Sequence, residues 1–419
     1  MERLCNKTMA PQPSEPKTST INPLGELARL FLKLGTIGFG GPQAHIAMMN
    51  DEAVVRRQWL SPEEFAEGLA VCEMLPGPAS TQMGIYTGYV RAGQLGAMVA
   101  GISFIGPAFA IVVALSWGYF QFQELPQVDA IFLGVSPVVT AIVLAFCWKL
   151  GKKAIRTWMA MAIAIAVFFT TVLTSTNVLI QFVAGGLVGL WYFRPQAPTG
   201  NNPTSLKSWL VPPLPLLLGN LPTETLTLSS FWGLERIGEF FLPLTLFFLK
   251  TGSFIFGGGL VIIPLLEFEV VEQLHWLTPT EFINGVAIGQ LSPGPVVLTA
   301  AFVGYKVAGA IGALVAAIAI FTPSFAFIML AAPLLVRLRR NLWIRAFLQG
   351  VTPAVLGAIA AAAIPIARTA LVRESTLLSA IAAGIGLVAI VASIRFKLPT
   401  WQLVPAGASL GLLASAVVP

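Results

Sequence analysis

FLKLGTIGFGGPQAHIAMMNDEAVVRRQWLSPEEFAEGLAVCEMLPGP, the stretch Phe31–Pro78, decides how the chain is read, because it occurs twice. Shifted by 217 positions it lies on Phe248–Pro295 without a gap, and about two positions in five are identical, which marks a repeat rather than chance. Lys33 meets Lys250, Phe39-Gly40-Gly41 meets Phe256-Gly257-Gly258, Trp59-Leu60 meets Trp276-Leu277, and Pro76-Gly77-Pro78 meets Pro293-Gly294-Pro295. The offset then becomes 216, which pairs Gly88-Tyr89 with Gly304-Tyr305, Pro107 with Pro323, and Gly134–Pro137 with Gly350–Pro353. The chain therefore reads as two related halves, 23–193 and 238–419, after a polar tail at 1–22 and around a proline-rich linker at 194–237.

The 419 residues are 56% hydrophobic and 11% charged, with a mean hydropathy of +0.80. No water-soluble core hides that much apolar surface, so the composition is that of an integral membrane protein in a lipid bilayer. Apolar runs near Gly96–Phe120, Ala130–Trp148, Ile155–Val172, Val178–Phe193, Gly309–Leu335, Leu342–Ile366, Thr376–Ile394 and Leu403–Val418 are each long enough to cross about 30 Å of hydrocarbon. Met1–Asn22 lacks an apolar run and a small-residue cleavage site, so it reads as a mobile tail rather than a signal peptide. Cys5, Cys72 and Cys147 show no metal or disulfide spacing. The net charge of +6 fits basic cytoplasmic loops. No basic stretch with repeating aromatics points to nucleic acid.

Leu24–Met49 is apolar enough to span, yet it carries Lys33 and is interrupted by Gly38-Phe39-Gly40-Gly41-Pro42, so the helix is expected to break there. Asp51–Glu67 reads as a polar, amphipathic connector. In Phe65–Val90 the central Pro76-Gly77-Pro78 leaves pieces that reach only about 17–18 Å as helix, too short to cross alone. Two half-helices meeting in a re-entrant hairpin fit better than one kinked helix, provided protein or water surrounds the irregular backbone.

Loop charge orients the halves. In the first, Gln121–Asp129 carries Glu124 and Asp129, and the next loop carries Lys149, Lys152, Lys153 and Arg156. In the second the order reverses, with Arg337, Arg339, Arg340 and Arg345 followed by the mixed Arg368–Glu374. If basic loops face the cytoplasm, the halves are inverted. The expectation is thus an all-α protein of two inverted-topology repeats, about ten transmembrane helices and two re-entrant half-helix hairpins, with both termini outside.

His occurs only at 45 and 275, and there is no HExxH pairing, no GxSxG elbow and no P-loop, so ATP-driven transport, zinc hydrolysis and enzymatic catalysis have no local support, and no cofactor is implied. What remains is four helix interruptions in corresponding places, the strongest sequence pointer to a transporter site. A helix that starts at such a break presents unpaired N–H groups and its positive dipole end, which suits an anion. The expected anion-binding residues are Lys33, Gly40, Gly41, Pro42, Gln43, Pro76, Gly77, Pro78, Ser80, Thr81 and Gln82 in the first half. Their counterparts in the second are Lys250, Gly257, Gly258, Gly259, Pro293, Gly294, Pro295 and Thr299. A lysine at mid-depth costs about 2.5–3.5 kcal/mol, so Lys33 and Lys250 should face an aqueous cavity or an anionic partner unless they snorkel. Arg91 and Lys306, after the hairpins, are candidates for attracting anions at the mouth. Glu64 and Glu281, just after Ser61-Pro62 and Thr278-Pro279, read as helix-start stabilisers. His45 faces Ile262 and Glu73 faces Gln290 in the comparison of halves, so these two are the candidates for proton coupling.

Phe39-Gly40-Gly41-Pro42 with His45-Ile46-Ala47, Pro76-Gly77-Pro78, Phe256–Gly259 with Pro264, and Pro293-Gly294-Pro295 resemble the two-domain chromate transporters of the chromate ion transporter family. The resemblance covers nearly the whole chain after the tail. It implies a bacterial inner-membrane carrier that exports chromate and confers resistance to it, with sulfate as the usual competitor; homodimerisation is left open. Transport of sulfate or a small carboxylate, a passive anion channel, and a membrane enzyme acting on lipid phosphate through Lys33 and Lys250 are the competing readings. The last lacks an acid/base pair or metal cluster beside the lysines.

Overall fold

The computed structural model describes residues 22–174, 176–193, 231–255, 259–331, 342–373 and 375–417. The tail to residue 21, most of the linker, the basic trio Arg337, Arg339 and Arg340, and Gly257 and Gly258 lie outside the described residues. Among those described, the elements are helices, with no strand. The first half holds α1 (Pro23–Ile37), α2 (Gly41–Asn50), α3 (Pro62–Cys72), α4 (Ala79–Phe122), α5 (Pro126–Ala154), α6 (Trp158–Leu173) and α7 (Val178–Tyr192). The second holds α8 (Leu234–Ser253), α9 (Ile262–Leu266), α10 (Pro279–Leu291), α11 (Thr299–Ala331), α12 (Leu342–Leu371), α13 (Thr376–Arg395) and α14 (Thr400–Val417).

Among the described residues five helical stretches, Ala79–Phe122, Pro126–Ala154, Val296–Leu330, Leu342–Leu371 and Thr376–Arg395, are long and apolar enough to cross a membrane, and α6 and α7 are apolar but shorter. Leu95, Ile102, Leu187, Val388 and Leu413 stand exposed on the outside. That apolar exterior suits lipid and not water, and the chain is a multi-pass membrane protein.

Local chemistry places the matched helix starts. Ser61 Oγ accepts from Glu64 N at 3.1 Å while Glu64 Oε2 accepts from Ser61 N at 2.8 Å. Thr278 and Glu281 repeat the arrangement at 3.2 and 2.8 Å, and Pro62 and Pro279 open the two helices. Both glutamates are thus the helix-start stabilisers expected from the sequence. Ser61→Ala should cost about 1 kcal/mol, read as a lower unfolding midpoint in detergent.

The polar stretch after α2 is not a plain connector. Residues Asp51–Arg56 continue α2 as a π-helical turn, and Glu267–Gln273 do the same after α9, so Glu52 and Glu269 are carried inward on helix rather than left in a loop.

The two longest helices are each two helices. Ala92-Gly93 and Ala308-Gly309 depart from helical geometry at corresponding places, with Gly93 at φ +63° and Gly309 at φ +60°. A Cβ on Gly88 would collide with the carbonyl of Gly96, and one on Gly304 with that of Gly312, although each pair is eight positions apart in sequence. Only a fold-back at the glycine brings such residues together, so a short helix (79–91 or 299–307) returns antiparallel to the span that follows it.

Helix packing crosses between halves. The first-half helix α5 packs against α13 and α14, and its counterpart α12 packs against α6 and α7; α5 also meets α12, and α4 meets α11. Small residues permit it: a Cβ on Gly134 would strike the Gly407 carbonyl, and one on Gly350 the Gly185 carbonyl. The contacts are thus reciprocal: each half's long helix lies against the last two helices of the other.

One pair of counterparts breaks the symmetry. Helix α10 is buried along Glu281–Gln290 and packs against α5, α12 and α14. Helix α3 leaves Glu63, Glu64 and Glu67 exposed and packs mainly on α4.

Candidate functional site

The interruptions meet crosswise in the interior. Gly77 N, in the first half's proline break, donates to Ile255 O at 2.6 Å, at the second half's glycine break. Reciprocally, His45 Nε2 lies between Gly38 O, at the first half's glycine break, and Pro293 O at 2.9 Å, in the second half's proline break. Gly38 and Ile255 correspond in the repeat, as do Pro76 and Pro293. The middle of the molecule is therefore non-helical backbone from both halves, joined in two related pairs.

The side chains around it are polar and largely unspent. Ser80, Thr81, Gln82 and Ser324 are all 0% exposed. Ser80 Oγ, Thr81 Oγ1, Gln82 Oε1, Ser324 Oγ, Gln290 Nε2 and His45 Nδ1 are buried without a hydrogen-bond partner. Buried polar atoms are nearly always paired, so these atoms beside the breaks are donors and acceptors that the protein's own groups leave unused. Gln82 Nε2 donates to Pro76 O at 2.6 Å, bracing the break. Thr299 Oγ1 donates to Val296 O at 2.9 Å and so serves its own backbone.

Around the first glycine break, Gly40 caps α2 with φ +123° and Gly41 follows at φ +77°; Gly40 and Gln43 are exposed or nearly so, and Gly41 and Pro42 partly buried. Gly77 and Pro78 are buried, Pro76 half-buried, and Pro293, Gly294, Pro295 and Gly259 buried.

His45, 1% exposed, faces two carbonyl oxygens through Nε2. Two acceptors require that nitrogen to carry the proton, leaving Nδ1 as the one that can take another. Glu73 is placed elsewhere. Its carboxylate is 46% exposed and lies 3.7 Å from Lys153, so the two proton-coupling candidates do not form one group.

The lysines have carboxylate partners. Lys33 Nζ donates to Glu52 Oε1 at 3.0 Å, and Lys250 Nζ to Glu269 Oε2 at 2.5 Å, both across 19 residues. The carboxylates are 10% and 7% exposed and the lysines 53% and 37%. Glu52 also meets Arg57 at 3.3 Å and Arg56 at 3.8 Å. Sequence reasoning missed both acids, although Glu52 and Glu269 are identical across the repeat. Arg91 pairs with Glu26 at 3.4 Å over the Trp59 ring, and Lys306 with Glu281 at 2.7 Å over the Phe120 ring. These four cations neutralise acids on the helix ends and π-turns, while the interior polar cluster holds hydroxyls, amides and the His45 imidazole. Ser324 is the other residue sequence reasoning missed, since its counterpart is Ala108 and nothing local marks it.

Residues 25–190 and 242–412 match the family model described as Chromate transporter. Over 396 residues the chain is 37% identical to a chromate transport protein of Cupriavidus metallidurans, covering 93% of each. Over 394 residues it is 37% identical to a probable chromate transport protein of Synechococcus elongatus, covering 93% of this chain and 95% of that one. A chromate transport protein of Pseudomonas aeruginosa is 31% identical over 364 residues, 86% of each. No solved structure matches.

Proposed function

The chain belongs to the chromate transporter family, and from that premise we propose that it is a secondary carrier exporting chromate across a bacterial inner membrane, thereby conferring resistance. Its family and relatives are transporters, not enzymes. The observation that carries the reading is the crosswise meeting of Gly38, Gly77, Ile255 and Pro293 beside buried hydroxyls without partners. Helix starts and hydroxyl donors are what an acceptor-only tetrahedral oxyanion needs, and sulfate, of the same shape and charge, competes for them.

A dianion leaving a cell held at about −100 mV gains roughly 4.6 kcal/mol, which sustains about three decades of concentration ratio without a nucleotide site. Proton exchange adds to this drive through His45, whose free Nδ1 lies at the centre. The two halves are inverted repeats, and the two hairpins re-enter the membrane from opposite sides. Alternating access is supported by the unequal seating of α3 and α10: the cargo is released when they exchange, α3 closing onto the scaffold and α10 opening.

The moving parts are not the halves themselves. Because α5 and α12 are each wrapped by helices of the other half, these six helices form the fixed scaffold. The first hairpin with α1 and α4, and the second with α8 and α11, rock against it.

Energised everted vesicles should accumulate chromate, and sulfate should inhibit the uptake. No chromate signal under any imposed gradient overturns the substrate. His45→Gln should remove acceleration by a pH gradient while leaving potential-driven uptake within about threefold; unchanged pH-gradient dependence would assign proton coupling elsewhere.

A further inference from the structure

The two proline breaks are equivalent by repeat but not by chemistry. After Pro78 an α-helix starts at once, with Ser80, Thr81 and Gln82 on its first turn, and it runs about thirteen residues to the reversal at Ala92. After Pro295 the chain makes a 3-10 turn of Val296–Leu298 before α11 begins, so valine and leucine occupy the corresponding turn, and Thr299 bonds back to Val296 O.

The other half's contribution differs in the same sense. A Cβ at Gly77 would collide with Ser324 Oγ and Gln82 Nε2, so the Ser324 hydroxyl stands directly on that break. A Cβ at Gly294 would collide with the methyl of Ala108 and lie 3.5 Å from Leu298 Cδ1. Ser324 and Ala108 are counterparts in the repeat, each following a helix-interior proline, Pro323 or Pro107. Ser324 Oγ, Ser80 Oγ and Thr81 Oγ1 are all buried and unpartnered, whereas at the second break the Ser292 and Thr299 hydroxyls are spent on backbone carbonyls.

We infer that the carrier holds one tetrahedral oxyanion per chain, at the Pro76–Gln82 break, with Ser324 of the second half as a binding residue, and that the Pro293–Thr299 break, whose hydroxyls are spent on backbone carbonyls, does not hold a second. This rests on the oxyanion reading above. One of the two Gln82 amide hydrogens is used on Pro76 O, which holds the side chain against the break. The donors are the helix start and the three hydroxyls, two from one half and one from the other. That division makes the site sensitive to the relative position of α4 and α11, as a carrier requires.

Equilibrium dialysis of purified wild type with radiolabelled sulfate, and separately with chromate, should give one ion bound per chain. Ser324→Ala removes one hydrogen bond to a charged ligand and should raise the dissociation constant about tenfold, with an unchanged unfolding midpoint in the absence of anion, since alanine is the residue at the related position. Two ions per chain, or an unchanged affinity in Ser324→Ala, would overturn the one-sided site. Failure of the wild type to bind or transport either anion would overturn the oxyanion reading beneath it.

Discussion

Gly77→Val reduces chromate uptake into everted vesicles at least about a hundredfold, at normal protein abundance, because two penalties fall on one residue. Its φ of +130° lies where a β-branched side chain is strained by about 1–3 kcal/mol. Its Cβ would also land on Ser324 Oγ and Gln82 Nε2, and overpacking a tight interior costs about another 1–3 kcal/mol. The side chain would fill the space beside the hydroxyls and push Gly77 N away from Ile255 O, uncoupling the two breaks. Gly294→Ala provides the comparison. Its backbone is outside the left-handed region, so the collision with the Ala108 methyl, about 1–3 kcal/mol, is the one penalty on it, and a smaller loss than at Gly77 is expected. Equal losses at the two glycines would argue that both breaks bind.

Lys250→Ala destabilises the fold by about 3 kcal/mol, the low end for an uncompensated buried charge, because Lys250 itself keeps 37% exposure and Glu269 only 7%. Among the described residues Lys250 is the cation that meets Glu269. Removing the acid as well, in Lys250→Ala with Glu269→Ala, should restore most of the unfolding midpoint, as the desolvated carboxylate is then gone. Lys33→Ala should cost less than half as much, since Arg56 and Arg57 remain at Glu52, whereas the matching positions in the second half are Gln273 and Leu274. Thermal unfolding in detergent checks all three. If the double variant is no better than the single one, the lysine acts on something other than Glu269.

Much of this architecture is legible in the sequence. The capping boxes at Ser61 and Thr278 are readable because a cap, a proline and a glutamate sit within four positions. The interruptions at Gly38–Pro42 and Pro76–Pro78 are readable because glycine and proline act on their own backbone. The gap between the run ending at Val90 and the one starting at Gly96 falls on the reversal at Gly93. What escapes has a common cause. Glu52 reaches Lys33 only because a π-turn aims it inward; Ser324 matters only because the halves cross. Glu73 and His45 stand at similar sequence distances from a break, yet one faces Lys153 near the surface and the other lies at the centre. Local rules locate breaks in a chain, but which break faces which is decided by packing between distant segments, such as His45 and Pro293, 248 residues apart.

The crossed packing of α5 with α13 and α14 also fixes an order of events during synthesis. Gly134 emerges roughly 270 residues before Gly407, so at about 5–20 residues per second its glycine face waits between a quarter of a minute and a minute for its partner. Until then α5, α6 and α7 lie in the bilayer with lipid or an insertion factor against the grooves around Gly134, Gly185 and Gly189. A chain that stops before α12 has the scaffold face of its first half uncovered. The second-half helix α14 is therefore needed to complete the first half.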